Sequence, residues 1–147
     1  MPSAGDVANY FLASVDEEAG DSLSNLKLQK LCYYAQGYYL ALHGEPLFSD
    51  DIQAWEHGPV VPSLYSRFKQ YKAEPIPRPD GFDPSTVFDD SIREILDEVN
   101  EVYGQFSASK LRNMTHAEAP WASAFKEGPS SIIAPEAMRD YFSTLIA

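Results

Sequence analysis

The chain has 147 residues, 44% of them hydrophobic, the size and apolar content of one domain able to bury a core without disulfides or metal staples. Eleven Lys and Arg against 22 Asp and Glu leave a net charge of −11, which repels a phosphate backbone and speaks against direct nucleic-acid binding. A single cysteine, Cys32, excludes an internal disulfide and a cysteine-based zinc site, while the opening "MPSAGDVANYF" lacks a cationic stretch before an apolar run. Nowhere do roughly eighteen apolar residues follow one another, so the expectation is a cytoplasmic protein without a membrane span.

Ser3 stands three residues before the carboxylate of Asp6, a helix-start pattern, and Val7, Tyr10, Phe11 and Ser14 then recur at helical spacing up to a region closed by Gly20. Ser24 is the next cap. Behind it Leu28, Leu31, Cys32, Ala35, Tyr39 and Leu42 form one continuous stripe that Gly44 ends, which predicts a helix of about 19 residues with Cys32 in its core face. The segment "IQAWEHGPV" alternates and predicts a short strand, ended by Pro59 and pairing with residues near Leu47 and Phe48 across the "SDD" turn. Pro62 opens a helix carrying Leu64, Tyr65, Phe68 and Tyr71. Four of the eleven prolines then fall between Ala73 and Pro84, which marks a surface loop or edge segment.

From Asp89 to Tyr103 the spacing predicts an amphipathic helix with Ile92, Ile95, Leu96, Val99 and Val102 on one side and Glu94, Asp97, Glu98 and Glu101 on the other, stopped by Gly104. Ser107 caps a short helix to about Met114, Pro120 starts another turn around Trp121 and Phe125, and Pro135 opens a last helix with Met138, Tyr141, Phe142 and Leu145. The expected fold class is α+β: a mostly helical single domain, residues 1–147, with a small antiparallel β-sheet or hairpin.

Motifs for common chemistries are missing. The eight glycines form no phosphate cradle, His43, His57 and His116 follow no zinc spacing, and no nucleophile elbow is present. The stretch "THAEAPW" is the one that invites a mechanism, because His116 and Glu118 have the types of a base and its orienter, as in a small hydrolase. It equally suits a helix junction, with Thr115 and His116 satisfying backbone groups at one helix end, Glu118 doing so where Pro120 starts the next, and Trp121 as an anchor. Tyr33, Tyr34, Tyr38 and Tyr39 cannot share one side of a helix, since neighbours are about 100 degrees apart. Exposed Tyr34 and Tyr38 would suit a partner surface. So would Trp55, Glu56 and His57 on the strand, and the acidic face of Glu94, Asp97, Glu98 and Glu101; between Asp80 and Glu101 eight acidic residues meet one basic residue, Arg93.

Four motifs carry a resemblance. They are L-x-K-L-x-Y-x-A-Q-G-x-Y-L from Leu28 to Leu40, G-x-P-L-F from Gly44 to Phe48, A-W-x-x-G-P-V-V-P from Ala54 to Pro62 with Gly58 and Pro59 inside it, and L-x-x-x-T-H-x-E-x-P-W from Leu111 to Trp121. Together with Tyr141 and Phe142 they make the chain resemble the Panacea antitoxin domain family of SocA-like and GepA-like phage-associated proteins. The resemblance implies a protein that is not an enzyme and needs no cofactor or metal: the antitoxin half of a two-gene, type II-like system. Such a protein neutralises a co-encoded protein toxin by direct contact. Its alternative is a proteolytic adaptor that delivers the toxin to a ClpXP-type protease.

Overall fold

The computed structural model describes residues 1–146. Among them the elements run α1 (Ala4–Ala13), α2 (Asn25–His43), β1 (Gln53–Trp55), β2 (Gly58–Val60), α3 (Pro62–Phe68), a 3-10 turn (Lys69–Tyr71), α4 (Pro84–Val87), α5 (Asp90–Tyr103), α6 (Ala108–His116), α7 (Ala119–Glu127), β3 (Ser131–Ile132) and α8 (Pro135–Ser143). The class is α+β, mostly helical with a three-stranded antiparallel sheet among the described residues.

Helix starts follow local chemistry. Ser3 and Asp6 form a reciprocal capping box on α1, and the side chains of Ser24, Asp89 and Ser107 accept backbone N–H groups of Lys27, Ile92 and Lys110. Helix α6 runs on to His116, two residues past the expected end, so Thr115 and His116 belong to its last turn rather than to an extended linker.

The sheet departs from the sequence reading. Strand β1 is central and pairs with β2 (Ala54 opposite Pro59) and with β3 (Gln53 opposite Ile132), not with Leu47 and Phe48. Those two residues are unavailable because the buried Gln36 side chain takes their backbone groups: its Oε1 accepts from Leu47 N at 2.8 Å and Phe48 N at 3.3 Å, and its Nε2 donates to Phe48 O at 2.8 Å. Pro59 therefore lies inside β2, which tolerates it as an edge strand where no ladder donor is needed.

Helix α2 is the axis of the molecule. It contacts α1, α3, α5, α6, α8 and β2, and ten successive residues, Leu28 to Gly37, are buried. Such a helix is covered on all sides, unlike the one-sided pattern of a surface helix. Tyr33 and Tyr34 are both 0% exposed, which corrects the expectation that Tyr34 faces solvent: neighbours stand on both of the sides to which the two rings point. Cys32 is also fully buried, and burial pushes its thiol far up from its ordinary value, as for a core residue. Conversely Leu42 and Val102, read as apolar-face residues, are 53% and 44% exposed.

The most extensive contact between helices is that of α2 with α8. A Cβ on Gly37 would lie 2.2 Å from Cε2 of Phe142, a fully buried ring held among Tyr33, Tyr34 and Tyr38. Gly37→Ala is expected to destabilise the fold by about 1–3 kcal/mol through overpacking. Phe142→Leu, destabilising alone, should recover part of that loss in the double variant. Denaturant midpoints check this, and strictly additive effects would show that the two residues do not meet.

Candidate functional site

The polar side chains buried on α2 gather the loops that carry the four motifs. Gln29 accepts from Val61 N at 2.8 Å through Oε1 and donates to Asn25 Oδ1 at 2.9 Å. Lys30, 0% exposed, donates through Nζ to Pro59 O at 3.2 Å, and Gln36 holds the Leu47–Phe48 backbone as described. Gly58 is required where Lys30 passes: its φ is +114°, and an added Cβ would stand 2.6 Å from Lys30 Cε and 3.0 Å from Thr115 Oγ1.

The α6–α7 junction closes this arrangement. Tyr33 Oη and Tyr34 Oη donate to Glu118 Oε1 and Oε2 at 3.0 and 2.8 Å. The sequence expectation that Glu118 satisfies backbone groups at the start of α7 is thus corrected. Glu118 occupies the cap position but its side chain makes no cap hydrogen bond; the carboxylate turns inward to the two tyrosines, while Pro120 brings no N–H to the first turn. Thr115 Oγ1 donates to Arg112 O at 2.8 Å, within α6. His116 stacks on Trp121, with centroids 3.9 Å apart and planes 7° apart, and Trp121 stacks in turn on Phe125. Trp121 Nε1 donates to Trp55 O at 2.8 Å, tying α7 to β1.

No hydrogen bond joins His116 to Glu118 among the described residues, and both Glu118 oxygens accept from the tyrosines instead. Burial, followed by the nearby Arg112, lowers the His116 pKa, a backbone contact with Glu56 works the other way, and among the described residues its buried Nε2 has no partner. Burial raises the Glu118 carboxyl above its ordinary value, against the two tyrosine hydrogen bonds, which favour the charged form. Burial also drives Tyr33 and Tyr34 upward, with the Glu118 charge adding to the effect. Lys30 falls from 10.5 to about 7 because of burial and, secondarily, Arg112. Among the described residues no group of three or more His, Cys, Asp or Glu is placed to hold a metal ion, and no helix is long and apolar enough to cross a membrane.

The surface residues singled out from the sequence fall in separate places. Glu56 and His57 are exposed at the β1–β2 turn, and half-buried Trp55 packs edge-on against Tyr65 at 4.9 Å. Glu94, Asp97, Glu98 and Glu101 are all exposed along α5. Half-buried Tyr38 shares a hydrogen bond of 2.7 Å with Tyr103 Oη, and the two line a groove with Glu98. Structure thus brings Tyr38 to the acidic helix and leaves Trp55, Glu56 and His57 elsewhere. Sequence reasoning does not find Lys30 as a partner of Gly58 and Pro59: two residues after Leu28 it stands about 200 degrees round the helix, opposite the apolar stripe, where a lysine reads as solvent-facing.

A family model described as the SocA-like antitoxin Panacea domain matches residues 28–122, which contain all four motifs. A curated relative, the antitoxin SocA of Caulobacter vibrioides (strain NA1000 / CB15N), is 33% identical over 119 residues, 74% of this chain. The match spans 63% of that relative's length. No solved structure matches the chain.

The two buried ionisable groups should act oppositely on stability as pH changes. Folded Glu118 holds its proton more tightly than the unfolded residue, so its contribution is full below the ordinary value of 4.5 and declines as pH rises through the raised value. Folded Lys30 holds its proton less tightly, so its contribution grows as pH rises from about 7 toward 10.5 and is lost as pH falls through about 7. Denaturation series across pH should show Glu118→Gln flattening the decline as pH rises above 4.5 and Lys30→Met flattening the rise from about 7 toward 10.5. Unchanged slopes would mean that neither group is titrating in its buried position.

Proposed function

The chain belongs to the SocA-like Panacea antitoxin family, and from that premise we propose that it is the antitoxin of a two-gene system and neutralises a co-encoded protein toxin by direct contact. The match of residues 28–122 to the antitoxin domain carries this reading. Two features of the molecule support a binding role over a catalytic one. The polar residues of the motifs are directed inward, with both Glu118 oxygens occupied by tyrosine hydroxyls and His116 flat against Trp121. The net charge of −11 suits a cytoplasmic protein that meets a basic protein rather than nucleic acid.

Growth is the direct test. The product of the neighbouring gene should arrest growth when expressed alone, arrest should be relieved when this chain is co-expressed, and the two proteins should copurify. Arrest that persists on co-expression, or the absence of both toxicity and copurification, would overturn the proposal. Measuring toxin half-life in the same cells separates masking, which leaves it unchanged, from delivery to an ATP-dependent protease, which shortens it.

His116→Ala separates the binding role from hydrolysis. Loss of the stack on Trp121 should lower stability by about 1 kcal/mol, while neutralisation persists at temperatures where the variant is folded. A reaction run by His116 would give the reverse pattern, with function abolished and the thermal midpoint intact.

A further inference from the structure

A groove of about 350 Å³ runs between the end of α2, the face of α5 and the segment after α8. Its apolar lining includes Leu42, Ile95, Val99, Val102 and Leu145, above Tyr38 and Tyr103. Three of these, Leu42, Val102 and Leu145, are 53%, 44% and 48% exposed, half of the large apolar side chains left open on the described surface. Scattered exposed apolar residues need no explanation, but three converging on one concavity form a patch that a partner would cover.

Charge decides which partner. Glu98 lines both this groove and the adjoining shallow depression of α5, which also holds Glu94, Asp97 and Glu101. The basic residue of that depression, Arg93, is paired with Asp90, and Asp97 accepts from Tyr10 Oη; Glu94, Glu98 and Glu101 have no ion-pair partner among the described residues. Pairing of the groove with itself in a symmetric dimer would set two such acidic helices together, on chains of net charge −11 each.

We propose that this groove and its acidic ridge bind an amphipathic basic helix of a protein partner, apolar stripe in the groove and Lys or Arg side chains against Glu94, Glu98 and Glu101. On the antitoxin reading, on which this assignment of the partner rests, the helix belongs to the toxin. The exposed residues of the groove are then the anchors, and the α5 carboxylates steer the encounter and fix the orientation.

The test uses two probes. A designed amphipathic helical peptide of leucine and lysine should bind the full chain, more weakly as salt rises, and its counterpart with glutamate in place of lysine should not. Val102→Asp and Glu98→Lys, both at exposed positions, should each weaken the lysine peptide by about tenfold or more without lowering the thermal midpoint. Equal binding of the two peptides, or no loss in the variants, overturns the proposal. The second probe is the neighbouring gene's product: if it binds wild type and Val102→Asp equally, the groove is not its site, although the antitoxin reading stands. If that product is neither toxic nor bound, the antitoxin reading fails and the peptide result still decides the groove. A dimer that Val102→Asp dissociates would assign the groove to a second copy and overturn the assignment.

Discussion

A helix buried on every side has no solvent to satisfy its polar side chains, and α2 carries five of them within the span Gln29 to Gln36: Gln29, Lys30, Tyr33, Tyr34 and Gln36. Each unpaired polar group in such a place costs about 1–3 kcal/mol, so the fold must bring partners to them. It does so with backbone from two segments and one carboxylate: Pro59 and Val61 in and just after β2, the Leu47–Phe48 pair, and Glu118. The rest of the architecture follows from these demands. Leu47 and Phe48 are withdrawn from the sheet, β1 pairs with β2 and β3 instead, and the α6–α7 junction is pulled onto the tyrosines of α2.

The same demands explain why the four motifs belong together. Lys30, Tyr33, Ala35, Gln36 and Gly37 lie on one helix, and their partners supply the other three: Gln36 takes the backbone of G-x-P-L-F, Lys30 that of the G-P pair, and Tyr33 the Glu of T-H-x-E. Ala35 is fully buried, and Gly37 is where α8 comes nearest. What first resembles a base and a carboxylate in "THAEAPW" divides into two structural tasks. Glu118 satisfies α2, and His116 extends a stack of Trp121 and Phe125 that Trp121 Nε1 fastens to β1.

Much of the helical frame is legible in the sequence because it is local. Ser3 with Asp6, Ser24 and Ser107 bond backbone three residues on, inside the helices they start, and that spacing is visible along the chain. Strand β3 is not legible: two residues carry no period, and the partner, β1, lies far away in sequence. The burial of Tyr34 is hidden for a related reason. Periodicity marks one apolar stripe on α2 but does not count how many elements surround the helix, and the hydroxyl partner becomes known only when α7 is in place. The exposure of Leu42 and Val102 escapes the sequence in the opposite sense, since a periodic stripe can outrun the neighbours that cover it.

That overrun bears on function. The motif side chains that define the family are consumed in satisfying α2, so a protein partner meets chiefly what they leave outside. On the α5 side, among the described residues, this remainder is an apolar seam without a covering element and a row of carboxylates without cations. The carboxylates cost little while solvated, and they repel one another modestly across a helix face. Desolvating the seam would be favourable in itself, but desolvating the adjoining ridge would not, unless the covering surface brought positive charge. The combination therefore discriminates: a purely apolar partner would strand the ridge, a purely basic one would leave the seam wet, and an amphipathic basic helix satisfies both.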